Sequence, residues 1–195
     1  MNKKLVFATN NEHKLAEIRA VVPKGFIILG LKDIGCTEDI IESADTLQGN
    51  ADLKSMHVYS NYGMDCFADD TGLEVDQLNG RPGVYSARYA GEDGNAEKNI
   101  DKLLEELRGI HHPVARFRTV ISLVISGKIK HFEGIVTGQI IPERRGKDGF
   151  GYDPVFMPDN HSQTFAEMPL QLKNSISHRG KAMQKLIDFL SSLKD

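Results

Sequence analysis

Residues 115–140 restrict the fold of this chain more than any other stretch. Ala115, Phe117, Thr119, Ile121, Leu123 and Ile125 alternate with Arg116, Arg118, Val120, Ser122, Val124 and Ser126. Successive side chains of a strand point to opposite faces, so this period of two predicts a strand. Gly127 marks a turn, and residues 128–140 predict the returning arm of a β-hairpin. Two strands of this length predict a long twisted ribbon or sheet, a floor on which two lobes can stand. With 195 residues, 40% of them hydrophobic, the chain suffices for one domain with a sizeable core, and an elongated two-lobed shape is compatible with it.

Charge and cysteine content narrow the function classes. A net charge of −3 argues against a surface built broadly for nucleic acid, so an anionic ligand needs a local positive pocket. Neither the number nor the spacing of Cys36 and Cys66 suggests a disulfide framework or a zinc site. Cys66 lies in an apolar run and reads as a core residue. The apolar run near the N-terminus is too short for a signal peptide or a membrane span, and no later stretch is long enough. A reducing cytosol is the expected setting.

Residues 4–9, KLVFAT, are apolar, β-branched and aromatic, the pattern of a buried strand. A helix follows at once: Asn10 and Asn11 are good N-cap residues, Leu15, Ile18, Val21 and Val22 recur at helical spacing, and Pro23 with Gly25 ends it. A strand running into a helix start presents free N–H groups and a positive dipole end, which suits phosphate, and Lys14 adds a full charge. The spacing is not that of a Walker loop. An ordinary capped helix with an exposed lysine fits the same residues. Residues 25–31 predict a second strand and 32–45 a polar, acidic connection. A second helix is expected over 46–59, with Leu47, Ala51, Lys54 and Val58 along one side. Lys54 on that apolar stripe either snorkels to solvent or reaches a phosphate.

Residues 64–76, MDCFADDTGLEVD, are the chemical centre of the sequence. Asp69 and Asp70 are adjacent, so in a regular strand they face opposite ways. They serve one site if pleating stops there, as a Thr71-Gly72 turn would arrange. Two carboxylates at a strand end suit Mg²⁺, with water and substrate phosphates completing its shell. A solvated acidic turn is the plainer alternative.

The remaining segments supply loops and donors. Residues 80–91, GRPGVYSARYAG, predict a loop in which Ser86, Arg88 and Tyr89 either bind ligand or pin the chain. A helix over 95–107 turns Ile100, Leu103, Leu104 and Leu107 inward. In residues 144–153, RRGKDGFGYD, glycines allow close backbone approach to a planar ligand, and Phe150 or Tyr152 is available to stack on a base. Lys173, His178 and Arg179, ahead of a closing helix over 181–193, form either a solvated basic patch or a donor set for carbonyl oxygens.

Taken in order, these segments closely resemble the inosine triphosphate pyrophosphatase family, the noncanonical purine nucleoside triphosphate pyrophosphatases. The family's T-G-N-x-G-K appears as Thr9-Asn10-Asn11-Glu12-His13-Lys14, without the glycines, and its A-D-D-S-G as Ala68-Asp69-Asp70-Thr71-Gly72. Arg81-Pro82-Gly83 with Ser86-Ala87-Arg88-Tyr89, Gly149-Phe150-Gly151-Tyr152-Asp153-Pro154 and Ile176-Ser177-His178-Arg179 match without important change. The resemblance spans essentially the whole chain. One departure concerns T-F-x-E-N-A-x-x-K, which here reads Thr46-Leu47-Gln48-Gly49-Asn50-Ala51-Asp52-Leu53-Lys54. Gly49 stands where a metal-binding glutamate is expected. Either Asp69 and Asp70 hold the ion with more water, the preferred reading, or a carboxylate such as Glu42 or Asp52 approaches.

The resemblance implies an α/β fold: an elongated mixed β-sheet flanked by helices, two lobes with a central cleft, and a homodimer. It implies hydrolysis of ITP, dITP or XTP to the monophosphate and pyrophosphate, with Mg²⁺ as cofactor and neither nucleic acid nor membrane as partner. Substrate binding then falls to Thr9, Asn10, Asn11, Glu12, His13 and Lys14, with Lys54 and Thr71. Phe150, Gly151, Tyr152 and Asp153, with Lys173, His178 and Arg179, bind the nucleoside. Asp69 and Asp70 hold the metal, and Asp70 is the general base. Two rivals share much of this pattern: a pyrophosphatase for other modified nucleotides, and a nucleotide-binding regulator without catalysis. An aspartyl-phosphate phosphatase needs Asp-x-Asp spacing, which is absent.

Overall fold

Strand β1 (Lys3–Phe7) passes within four residues into helix α1 (Glu12–Val21). Asn11 starts that helix, its side-chain oxygen accepting from Lys14 N at 3.1 Å. The chain returns in β2 (Phe26–Leu29), parallel to β1 with Lys3 opposite Phe26. Helix α2 (Leu47–Tyr62) is capped by Thr46, whose hydroxyl accepts from Gly49 N, and stops at Gly63, which takes a left-handed φ of 63°. Strand β3 (Cys66–Val75) lies parallel to β1, with Val6 opposite Cys66 and Phe7 opposite Phe67. Helix α3 (Ala96–Glu106) follows, then the hairpin of β4 (Val114–Ile125) and β5 (Lys128–Ile140). Ser126 and Gly127 both have positive φ, 50° and 74°, as a two-residue hairpin turn of matching twist requires. Strand β6 (Phe156–Pro158) pairs antiparallel with β5, and α4 (Leu170–Ile176) and α5 (His178–Ser192) close the chain. The computed structural model describes residues 3–91 and 94–193, the side chain of His13 excepted. Its sheet is mixed, in the order β2, β1, β3, β4, β5, β6, within the expected α/β class.

The chain divides into two units. The first comprises the described parts of Met1–Asp70, Val120–Glu133 and Ala182–Asp195. Its strands are covered on both faces. Leu5, Phe7 and Phe67 pack with Leu15 and Ile18 of α1 and Leu186 of α5, while Val6, Ala8, Cys66, Ala68 and Val124 pack with Val58 of α2. The Phe7 and Phe67 rings stack at 4.4 Å. Double coverage explains why Val120 to Val124 are buried without interruption. Cys66 is a core residue, as expected, and burial pushes its thiol up to about 12.

The second unit comprises the described parts of Thr71–Thr119 and Gly134–Lys181. Its core gathers Leu73, Val75, Phe117, Phe156 and Phe165 with Ile100 and Leu103 of α3. The expected 80–91 loop contains a 3-10 turn, Gly83–Arg88, and it is pinned from within. Ser86 Oγ donates to Gly83 O at 2.6 Å and accepts from Leu73 N at 2.8 Å, while the Tyr89 hydroxyl donates to Glu106 at 2.6 Å.

Two expectations are corrected. Thr71-Gly72 make no turn: β3 runs unbroken from Cys66 to Val75, so Asp69 and Asp70 lie inside a strand and not at its end. Helix α4 occupies a segment in which none was expected, and the closing helix starts at His178, three residues before position 181. Among the described residues no helix is long and apolar enough to cross a membrane.

Candidate active site

The geometry around Asp69 and Asp70 follows from a difference in strand length within the first unit. The register of β1 on β3 reaches Phe7 opposite Phe67, with Ala8 N–H donating to Phe67 O at 2.8 Å, and β1 ends at Phe7, so β3 outruns its neighbour just before the carboxylates. Alternation places Asp69 on the face of Phe67, beneath α1, and Asp70 on the face of Ala68, beneath α2. Their partners agree. Lys14 Nζ, from the first turn of α1, donates to both Asp69 oxygens at 2.8 Å. From α2, Asn50 Nδ2 donates to Asp70 Oδ2 at 3.2 Å, and Lys54 Nζ lies 3.8 Å from Asp70 Oδ1. Where β1 ends, the two faces open on common space. A cavity of about 230 Å³ is lined by Thr9, Asn10, Lys14, Glu42, Lys54 and Asp69, with Glu38 to Ile40 on its rim. Lys14 and Asp69 reach the cavity from one face and Lys54 from the other, with β3 unbroken.

Asp69 is only 5% exposed, and a carboxylate so buried requires a cation, here Lys14. Lys54 reaches neither solvent nor Asp70 alone, because Glu42 accepts from it at 2.5 Å. Two ammonium groups thus face three carboxylates, an imbalance that a divalent cation reverses. The three carboxylates offer oxygen alone, the donor set preferred by hard ions such as Mg²⁺. At the start of α1, Thr9 Oγ1 accepts from Asn11 N at 3.2 Å, which folds the turn beside the cavity. Glu12 lies 3.8 Å from Lys32, and the His13 side chain lies outside the described residues.

Of the two carboxylates considered as a third ligand, Asp52 is committed elsewhere, accepting from Ser122 Oγ at 2.5 Å and His131 Nε2 at 2.7 Å. Glu42 lines the cavity. Its position depends on Gly49, where an added Cβ would stand 2.6 Å from Ala44 Cβ and 3.0 Å from Thr46 Oγ1. Ala44 N also donates to Asn50 Oδ1 at 2.9 Å, so the segment bearing Glu42 is seated on the first turns of α2. Sequence reasoning missed Asn50, which is fully buried. Its spacing of four from Lys54 was the available signal, since i and i+4 share a helix face. Gly49→Ala is expected to lower the urea midpoint, because the clash, about 1–3 kcal/mol, outweighs a helix-propensity gain of about 1 kcal/mol. A higher midpoint would show that the segment is not seated there.

In the second unit a different cluster forms. Phe150 is 63% exposed, on a loop where Gly149 and Gly151 take φ of 83° and 59°. A Cβ at Gly149 would stand 2.3 Å from Asp153 Oδ2, so glycine is required twice over. Asp153 is buried and its Oδ2 accepts from Phe150 N at 2.7 Å and from Lys173 Nζ at 2.6 Å. Lys173 Nζ and Arg179 Cζ lie 5.0 and 5.2 Å from the Phe150 ring centre. His178 is buried and stacks on Phe117 at 4.7 Å. An exposed aromatic face ringed by cations can take a flat, electron-rich heterocycle bearing oxo groups. Tyr152 is not part of that platform: it is buried, its hydroxyl donates to Ser86 O at 2.9 Å, and burial raises its phenol. Of the two stacking candidates only Phe150 is exposed. Thr71 Oγ1 shares a hydrogen bond with Thr119 Oγ1 at 2.7 Å.

The chain is similar to known proteins over nearly its whole length. The chain is 56% identical over 191 residues to the dITP/XTP pyrophosphatase of Flavobacterium johnsoniae, covering 98% of this chain and 100% of that one. It is 43% identical over 194 residues to the dITP/XTP pyrophosphatase of Bacillus subtilis, covering 97% and 98%. The structure of the Staphylococcus aureus Ham1 protein superposes with a TM-score of 0.93 at 38% identity, covering 98% of this chain and 100% of that one. The model of the Ham1 family matches residues 5–189, and with likeness of this extent in both sequence and fold the chain belongs to that family.

Proposed function

We propose that this protein hydrolyses noncanonical purine nucleoside triphosphates, ITP, dITP and XTP, to the monophosphate and pyrophosphate. The observation that carries the reading is the corner at the end of β1. There the start of α1, Lys14, Lys54, Glu42 and Asp69 line one cavity, and the Asp70 carboxylate stands 3.8 Å from Lys54 Nζ.

Thr9, Asn10, Asn11 and Lys14 at the start of α1, with Lys54, bind the triphosphate. Charge-assisted hydrogen bonds neutralise phosphate oxygens that would otherwise be desolvated uncompensated. Lys14 now rests on Asp69, so phosphate and carboxylate exchange a partner that is already in place. Asp69 and Asp70 would hold Mg²⁺, with Glu42 a further carboxylate on the cavity wall beside Asp69. Bound there, the ion polarises the phosphates and makes an attacking water more acidic. Asp70 accepts that water's proton as its oxygen bonds to the α-phosphorus and the bond to the pyrophosphate oxygen breaks.

Selectivity belongs to the Phe150 cluster. Hypoxanthine and xanthine present a 6-oxo acceptor and a protonated N1, whereas adenine presents an amino donor and a bare N1. Phe150 stacks on the ring, Lys173, His178 and Arg179 offer donors to the oxo group, and Asp153 fixes Lys173 and the Phe150 loop. Adenine sets donor against donor, and a buried unsatisfied group costs about 1–3 kcal/mol, so two mismatches amount to discrimination of about a hundredfold or more. In a panel of ITP, XTP, GTP and ATP, kcat/KM for ITP is expected to exceed that for ATP by at least about that factor. Equal values would refute base reading by this cluster. The reading also carries a homodimer, as the resemblance implies, and a reducing cytosol, as the cysteine usage suggests, with neither Cys36 nor Cys66 in a disulfide.

A further inference from the structure

The segment that brings Glu42 to the cavity carries a second set of donors, which the proposed reaction does not use. Cys36 is buried just after the left-handed Gly35, Glu38 lies two residues on, and His57 projects from the middle of α2. One ligand atom of each lies within 4.8 Å of the other two. His57 Nε2 is buried and makes no hydrogen bond, although Glu38 Oε2 stands 3.1 Å away. Two ligands on one tetrahedral zinc ion, each about 2.0–2.2 Å from it, stand about 3.3 Å apart. The other imidazole nitrogen, Nδ1, lies 3.2 Å from the Asn61 amide, the kind of outer partner that fixes the orientation of a metal-binding histidine.

We infer that Cys36, Glu38 and His57 form a binding site for a borderline-soft divalent cation, Zn²⁺ in the first instance, separate from the Asp69 and Asp70 corner. The donor chemistry separates the two places. Thiolate and imidazole select zinc or cobalt, whereas Mg²⁺ prefers oxygen alone. Three protein ligands leave a fourth position for water. Binding releases the thiol proton to solvent, because the thiolate is the ligand. The spacing of the cysteines carried no zinc signal because the ligands come from a connecting segment and a helix some twenty residues apart. The ion also clips the 35–46 segment to α2. Glu38 is a ligand and also part of the cavity rim, so zinc occupancy holds the wall that includes Glu42.

The test uses the full chain, stripped of metal and held in excess Mg²⁺. Zn²⁺ titrated by calorimetry is expected to bind once per chain, and Co²⁺ to give thiolate-to-cobalt charge-transfer absorption with the spectrum of a four-coordinate ion. Cys36→Ser and His57→Gln should each weaken Zn²⁺ binding by more than the 10–100-fold typical of losing an outer-shell partner, about a hundredfold or more. Asp69→Asn should leave it unchanged. His57→Gln alters a side chain that is not fully buried, so it stays informative should the Cys36 variant fold poorly. The site is overturned if the wild-type chain takes up no zinc, if His57→Gln binds as the wild type does, if cobalt shows no thiolate band, or if Asp69→Asn abolishes uptake.

Discussion

Asp70→Asn is expected to lower kcat by about 10²–10⁴-fold, the contribution typical of a positioned general base, while the nucleotide dissociation constant moves by less than about tenfold. The contrast rests on which contacts survive. Asparagine has the shape of aspartate and keeps an oxygen for Asn50 Nδ2, so β3 stays packed. Lys54 retains Glu42 as its partner, and Lys14 retains Asp69, so the cations that bind the triphosphate stay in place. The carboxylate charge and the proton acceptor are what disappear. Because Asp70 is also assigned to the metal, a magnesium titration separates its roles. Activity restored by raising Mg²⁺ assigns the loss to coordination, and activity that stays low at saturating Mg²⁺ assigns it to proton transfer. Near-normal turnover at ordinary Mg²⁺ would remove Asp70 from the mechanism. Asp69→Asn is the comparison: it strips Lys14 of its buried partner, so its effect should fall on metal requirement and stability as well as on rate.

How much of this could be read from residues alone depends on whether the determining contact is local. The β1 to α1 passage with its Asn11 cap and the hairpin turn at Gly127 are each set by a few neighbouring side chains and backbone angles, and the structure has them where the sequence predicts them. Thr71-Gly72 failed as a turn signal because pairing within a sheet overrides a two-residue preference. Helix α4 was missed because its seven residues are too few for helical periodicity to stand out. The 32–45 segment was read as a polar, acidic connection, yet it forms a cavity wall. Its seat is set by the absence of a Cβ at Gly49 and by one bond from Ala44 to Asn50, facts about pairs of positions that no periodicity records. The same holds for Tyr152. Its side chain resembles Phe150 as a stacking candidate in sequence, and only its hydrogen bond to Ser86 O shows it turned into the core.

Replacing Lys173 by Met should destabilise the protein by about 3–5 kcal/mol, the cost of removing one partner of a buried ion pair. Methionine fills a similar volume, so the loss is electrostatic rather than a cavity. Asp153 is 3% exposed, and it would be left with the Phe150 amide as the one remaining donor among its described hydrogen bonds. In urea the midpoint should fall with little change in slope, since the surface exposed on unfolding is nearly unchanged. Adding Asp153→Asn removes the stranded charge and keeps an oxygen for Phe150 N, so the double variant should recover more than half of the loss. Coupling of this kind is what neighbouring substitutions show, and additive losses would mean that the pair is not an energetic unit. The same change tests base reading. Lys173 Nζ stands over Phe150 and offers a donor for the 6-oxo group, so in Lys173→Met the preference for ITP over ATP should shrink by about tenfold or more, the worth of one mismatched buried group. Turnover of ITP at saturation should fall less than that preference does, because the proposed proton acceptor, Asp70, and the lysines proposed for the phosphates, Lys14 and Lys54, make their ion pairs with other residues. An unchanged preference in a variant destabilised as expected would leave Lys173 as a support for the Phe150 loop and move purine recognition to Arg179 and His178.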